Sequence, residues 1–163
     1  MNAAREPGPS LPPPGLVHLA DFSITVAPPR IIGEAGACGR RFVAILGGTV
    51  RGSRLSGTIL PGGSDDQRVG VDGVVHIHAR YLIETADGTI LHLESTGLRV
   101  APPEMARQAR PGETPVPAAT YFVTTLRFET AAPGYLWMGR RLFVANGERR
   151  DGQVFLSVFE VVA

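Results

Sequence analysis

The run from Gly73 to Ser95, GVVHIHARYLIETADGTILHLES, constrains the fold more than any other part of the chain. Leu82 and Ile90 aside, its apolar and polar residues alternate on either side of the turn, a period that fits a β-strand. The segment Thr85-Ala86-Asp87-Gly88-Thr89 suits a tight turn closed by a left-handed glycine. Counting back from that turn sets Glu84 opposite Ile90, Leu82 opposite His92, Arg80 opposite Glu94 and His78 opposite Thr96. On the other face Ile83 meets Leu91 and Tyr81 meets Leu93. One face thus carries His76, His78, Arg80, Glu84, His92 and Glu94, and the other Ile77, Ala79, Tyr81, Ile83, Leu91 and Leu93. Burying the large apolar side chains gains roughly 1.5–3 kcal/mol each, whereas burying unpaired His, Arg and Glu costs energy. The apolar face is expected to point inward.

The same period recurs elsewhere. Leu16 to Val26 places Leu16, His18, Ala20, Phe22, Ile24 and Val26 on one side before Pro28-Pro29 interrupts. Arg41 to Gly63 reads as two strands, bent at Gly47-Gly48 and joined near Arg51 to Arg54. Further strands are predicted at Tyr121 to Thr130, Tyr135 to Gly147 and Gln153 to Val162, the last two meeting at an Arg150-Asp151-Gly152 turn. Pro102 to Arg110 is the one helical pattern, with proline early, Glu104 in the first turn and arginines late. Eight or nine strands in neighbour order form an antiparallel meander, and closure removes its edges. The fold class is therefore all-β, a single small barrel with one short helix. The proline-rich residues 1–15 read as a disordered lead-in and 16–163 as the barrel domain.

Composition narrows the function. Sixteen basic residues stand against 15 acidic ones for a net charge of +1, without blocks, so no stripe suits a phosphate backbone and no nucleic-acid partner is expected. Every basic residue is arginine, which excludes a Schiff-base lysine. One cysteine, Cys38, excludes an internal disulfide, a multi-thiolate zinc site and an iron–sulfur cluster. Neither an apolar leader nor a membrane-length apolar run is present, and a reducing, cytoplasmic home with no membrane partner is expected. His76, His78 and His92 share a face but lack recurring ligand spacing, so no metal and no cofactor are predicted. No Walker loop, dinucleotide fingerprint or G-x-S-x-G elbow occurs.

The candidate chemistry is sparse. Asp65, after Gly62-Gly63 in an expected rim loop, is the candidate acid or base, with Arg80, Arg127 and, in a wet lumen, His78. Tyr81, Phe122, Phe128, Tyr135 and Trp137 are candidates to line a pocket, because an eight-stranded barrel holds either its own side chains or one small ligand.

Several motifs in order resemble the family known as domain of unknown function 3237. These are GGT at Gly47 to Thr49, LPGG followed by Asp65, ARY at Ala79 to Tyr81, Asp87-Gly88, PPE at Pro102 to Glu104, the run from Tyr121 to Thr130, and Tyr135 with Trp137. The resemblance spans about Leu16 to Val161 and implies a closed or nearly closed barrel, often a homodimer, of the lipocalin-like or allene-oxide-cyclase-like kind. It brings no settled activity. The chain departs from the family's pattern at Asp66, His78, Val123, Leu126 and Gly139. The expected function is a cyclase, isomerase or lyase that acts by shape on an apolar polyketide-like or aromatic molecule. A non-enzymatic carrier or sensor of a hydrophobic metabolite is the alternative, and acid–base chemistry in a polar lumen is a third.

Overall fold

The computed structural model describes residues 11–35, 38–100 and 121–163. Its strands are β1 (Gly15–Val26), β2 (Arg30–Ala35), β3 (Cys38–Arg51), β4 (Gly57–Ile59), β5 (Gly63–Gly70), β6 (Val74–Thr85), β7 (Ile90–Val100), β8 (Tyr121–Glu129), β9 (Leu142–Arg150) and β10 (Gln153–Val162). All pairings are antiparallel, and β1 bonds both β10 and β3, so the sheet closes on itself. Ten strands fill eight positions. β1 and β2 share one edge of β3, β1 along Ile45 to Arg51 and β2 along Cys38 to Phe42. β4 and β5 likewise share the edge between β3 and β6. Each shared position is broken where a ladder cannot continue, at Pro28-Pro29 and at Pro61-Gly62, the latter glycine with φ 103°.

The β6–β7 hairpin has the register that the alternation predicts, from Glu84↔Ile90 to Val74↔Val100. Gly88 is left-handed at φ 82°, and Thr85 and Thr89 close the turn through a backbone bond of 2.9 Å. Val75, Ile77, Ala79, Tyr81 and Ile83 are buried while His76, Arg80, Leu82 and Glu84 are exposed. The apolar face is the inner one, because the closed sheet gives it the only dry side.

Four expectations are corrected. A β-bulge between His18 and Ala20 shifts the phase of β1, so Leu16 and His18 face solvent and Leu19 joins Ala20 inside. β2 was not expected at Arg30–Ala35, where no clean alternation marks it. β5 takes the place of the expected rim loop: its polar sequence GSDDQRVG is a full strand because β3 and β6 offer it two edges. Tyr135 to Arg140 belongs to a 3₁₀ helix, Pro133–Arg140, with proline at its start, and the strand begins only at Leu142. The helix expected at Pro102 to Arg110 lies outside the described residues, as does most of the expected lead-in. Among the described residues no helix is long and apolar enough to cross a membrane.

The lumen divides into two halves. At the end where the 3₁₀ helix lies it is solid, filled by Leu19, Phe22, Ile59, Leu91, Phe128 and Phe143 among others, with Phe128 and Phe143 edge-to-face at 5.0 Å. Met138 of the helix is buried over it. The buried carboxylate of Glu160 ties this cap down, accepting Arg54 at 2.6 Å and Arg141 at 3.3 Å, while Arg54 also lies 4.8 Å over the Trp137 ring. The other half holds a cavity.

Candidate functional site

The cavity follows from continuing the inward alternation toward the open end. On β7 the inward series Leu91, Leu93 goes on to Ser95, Gly97 and Arg99; on β8 it includes Phe122 and Thr124; on β9 it ends at Arg149. On β5 it comprises Asp65, Gln67 and Val69. The opposite wall, from Ile24, Val26, Val43, Ile45, Val154 and Leu156, is apolar. The result is a slot with one greasy and one polar side. Its closed part has a volume of about 40 Å³, room for a few water molecules, and it opens to solvent at its mouth.

Asp65 is the centre of the polar side. Its carboxylate accepts the Gln67 side-chain amide at 2.6 Å and the His78 backbone N–H at 3.1 Å. The latter donor is available because the β5–β6 ladder has no paired residues between Asp65↔Ala79 and Arg68↔His76. Burial pushes the Asp65 carboxyl above its ordinary range, against the downward pull of Gln67, His78, Arg149 and Arg99. Tyr81 lies at the base of the slot, and burial followed by the nearby Asp65 charge drives its phenol upward, so it stays a hydroxyl.

Two guanidiniums stand on the same side. Burial is the main cause that lowers Arg99 to about 10, with Arg149 and Arg41 repelling it and Asp65 opposing that only in part. Burial likewise lowers Arg149. Among the described residues, three buried polar atoms of the slot have no hydrogen-bond partner: Gln67 Oε1, Tyr81 Oη and Thr124 Oγ1. Native interiors pair nearly all such atoms, so orphans gathered in one cavity point to a polar guest.

The slot also has a thin side wall. The β8–β9 ladder runs only from Leu126↔Phe143 to Val123↔Asn146. Beyond it the Phe122 ring lies over Gly147, so close that a Cβ there would come within 2.8 Å of it. Phe122 and Leu156 line both the slot and an outer groove that also touches Asp21, Tyr121 and Phe155.

The sequence-predicted residues separate accordingly. Asp65, Tyr81 and Phe122 line the slot. Arg80 and Arg127 do not, since strand parity turns both outward: Arg80 sits 3.7 Å from Glu94 beside His78, and Arg127 is exposed opposite Glu94 on β8. His78 also faces out, 3.3 Å from Glu94. Phe128 packs in the solid half, and Tyr135 and Trp137 belong to the cap at that end, Tyr135 reaching Asp87 at 3.3 Å and Trp137 stacking obliquely on Phe143 at 6.0 Å. These three are thereby set apart from Asp65. Among the described residues no group of three His, Cys, Asp or Glu is arranged to hold a metal. Gln67, Arg99, Thr124 and Arg149 escaped the sequence reading, though the β7 signal was legible: two steps beyond Leu93 and Ser95 the same parity reaches Gly97 and Arg99.

Comparison with known proteins places this barrel among relatives. The family model described as Protein of unknown function (DUF3237) matches residues 14–161. A UPF0311 protein of Rhodopseudomonas palustris is 38% identical over 130 residues, covering 80% of this chain and 85% of that protein. Its counterpart in Clostridium acetobutylicum is 38% identical over 141 residues, 86% of this chain and 89% of the relative. The crystal structure of a conserved protein of unknown function from R. palustris superimposes with a TM-score of 0.82 at 33% identity, over 93% of this chain and 100% of that one. A shorter match, 33% identical over 87 residues, covers 53% of this chain and 58% of a hydroalkoxylation enzyme of Penicillium herquei. An enzyme from that fungus shares the fold with a TM-score of 0.73 at 22% identity, over 94% and 98% of the two chains.

Proposed function

The chain belongs to the family described as Protein of unknown function (DUF3237), and on that premise we propose that it is an enzyme that closes a ring in a small unsaturated molecule inside the slot. The reaction class is intramolecular addition of a substrate O–H across a C=C bond, an isomerisation without net oxidation. The observation that carries this reading is the gathering of unpartnered Gln67 Oε1, Tyr81 Oη and Thr124 Oγ1 around Asp65 in one half-apolar cavity. Leaving a buried polar group unsatisfied costs about 1–3 kcal/mol, so three such groups in one cavity favour a polar guest, water at rest and substrate when bound. The hydroalkoxylation named for the fungal relative is chemistry of this class.

In the proposed step Asp65 starts as the acid, the form its burial favours. It gives its proton to the alkene carbon, the substrate oxygen bonds to the neighbouring carbon, and the hydroxyl proton returns to the carboxylate. Charge and atoms balance, and Asp65 is restored. The apolar wall folds the flexible substrate chain against its oxygen, a contribution of orientation, while Tyr81 and Thr124 hold that oxygen. Arg80 and Arg127, on the outer face, have no part in it.

The test uses 2-(3-methylbut-2-enyl)phenol as probe, with ring closure followed by chromatography. Asp65→Asn keeps an acceptor for the His78 N–H, while the Gln67 amide must turn its oxygen to the new NH2 group; it is expected to fold yet slow closure by about 10²-fold, the scale of a general acid. Turnover that persists undiminished in Asp65→Asn refutes the assignment of the proton donor. Binding without closure in the unaltered protein would make the barrel a carrier.

A further inference from the structure

The slot has more positive than negative charge. Asp65 is the one carboxylate among its lining residues, and Arg99 and Arg149 both project into it. Neither guanidinium makes an ion pair or hydrogen bond with a described residue, although Arg99 is only 6% exposed and Arg149 is half-buried. Buried arginines are ordinarily paired, because an uncompensated buried charge costs several kcal/mol. No general stability argument accounts for a buried and a half-buried guanidinium near each other at the mouth of a cavity whose far wall is aliphatic.

We infer that the ligand of this slot is itself an anion, a flat apolar body bearing a planar oxyanion that Arg99 and Arg149 grip. A carboxylate, or an ionised phenol or enol other than the hydroxyl that adds across the alkene, supplies that chemistry, since the guanidinium fork matches two coplanar oxygens or one shared oxygen. Strand register gives the orientation. Along β6 the inward positions run from Tyr81 through Ala79, which pairs with Asp65, to Val75, which pairs with Arg99. The oxyanion therefore sits nearer the mouth than Asp65, and the neutral, unsaturated part of the ligand reaches down to Asp65 and Tyr81. The inference rests on the slot being the site proposed above, but not on any reaction occurring there.

The experiment measures equilibrium binding by calorimetry for matched probes: 2-naphthoate, benzoate and 4-nitrophenolate as anions, with methyl 2-naphthoate and benzamide as neutral counterparts. The anions are expected to bind at least about tenfold more tightly than their neutral counterparts, the scale of charge-assisted hydrogen bonds. Arg99→Gln and Arg149→Gln are each expected to erase most of that preference, while affinity for methyl 2-naphthoate stays within about twofold. Arg127→Gln on the outer face serves as the control and keeps the preference. Equal affinity for 2-naphthoate and its ester overturns the inference, as does a preference that survives both slot variants, or failure of all three anions to bind at millimolar concentration. Asp65→Asn separates the two proposals: lost ring closure with retained 2-naphthoate binding supports both, whereas intact closure with lost anion preference in Arg99→Gln strikes only the proton-donor role.

Discussion

Replacing Arg99 by methionine should make the protein more stable. Arg99 is buried at 6% exposure, and burial lowers its guanidinium from the ordinary arginine value to about 10, which corresponds to ~3 kcal/mol against the charged folded form. Methionine has a similar length and no charge, so it keeps the packing along Val75 and Phe122 and abolishes that penalty. Part of the gain is lost, because water reaches the open end of the slot and because Asp65 forfeits a nearby cation. A net rise of ~1–2 kcal/mol remains, worth about 3–7 °C in Tm for a chain of this size. Scanning calorimetry at pH 7 reads it directly. The pH dependence supplies a sign that packing alone would not. The folded state holds this proton less tightly than the unfolded chain, so the penalty is full below about pH 10 and fades as pH rises from there toward the ordinary arginine value. The stability gap between Arg99→Met and the parent should close across that window. A lower Tm for Arg99→Met at pH 7, or a gap that widens with pH, would show that Arg99 is a stabilising ion partner and would refute the reasoning.

Two further outcomes follow from the ends of the barrel. Glu160→Gln leaves Arg54 and Arg141 without their shared buried carboxylate, but both are partly exposed and can turn to water; unfolding in urea should show a loss of about 1–3 kcal/mol, with anion binding in the slot unchanged. Gly147→Ala puts a methyl group into the Phe122 ring and must displace it, so anion affinity measured by calorimetry should change by about tenfold while the melting temperature drops by only a few degrees; unaltered affinity would mean that Phe122 is no part of the wall that matters.

The barrel was largely legible because its strongest signals are local. Asp87-Gly88 fixes a turn, the turn fixes the register of β6 on β7, and the register fixes which face is dry. Legibility failed where a strand owes its existence to its neighbours. GSDDQRVG is too polar to declare itself, yet β3 and β6 present two edges that recruit it, and Asp65 thus becomes an inward strand residue instead of a rim residue. The one-residue bulge at His18 to Ala20 is likewise invisible to a period-two count and reverses everything on its far side. Arg80 belongs to the polar face of the β6–β7 hairpin, and Trp137 is the sole indole. Parity turns the first outward, and the 3₁₀ helix carries the second to the solid end. Arg99 and Arg149 were passed over because arginine is the least expected residue on an inner face, and that improbability is what makes them informative.

The split lumen bears on how such a barrel changes over generations. Folding free energy is concentrated in the packed half, around Phe22, Phe128 and Phe143, where losing one ring costs about 3–5 kcal/mol. Gln67, Arg99, Thr124 and Arg149 add little to that total, and two of the four carry charges that detract from it. Distant sites of this kind act nearly additively, so the open half can exchange residues without drawing on the margin that keeps the chain folded. Selection for a new guest and selection against unfolding then fall on different ends of the same strands. One backbone can in this way be rewritten for many small molecules, each version inheriting the same floor.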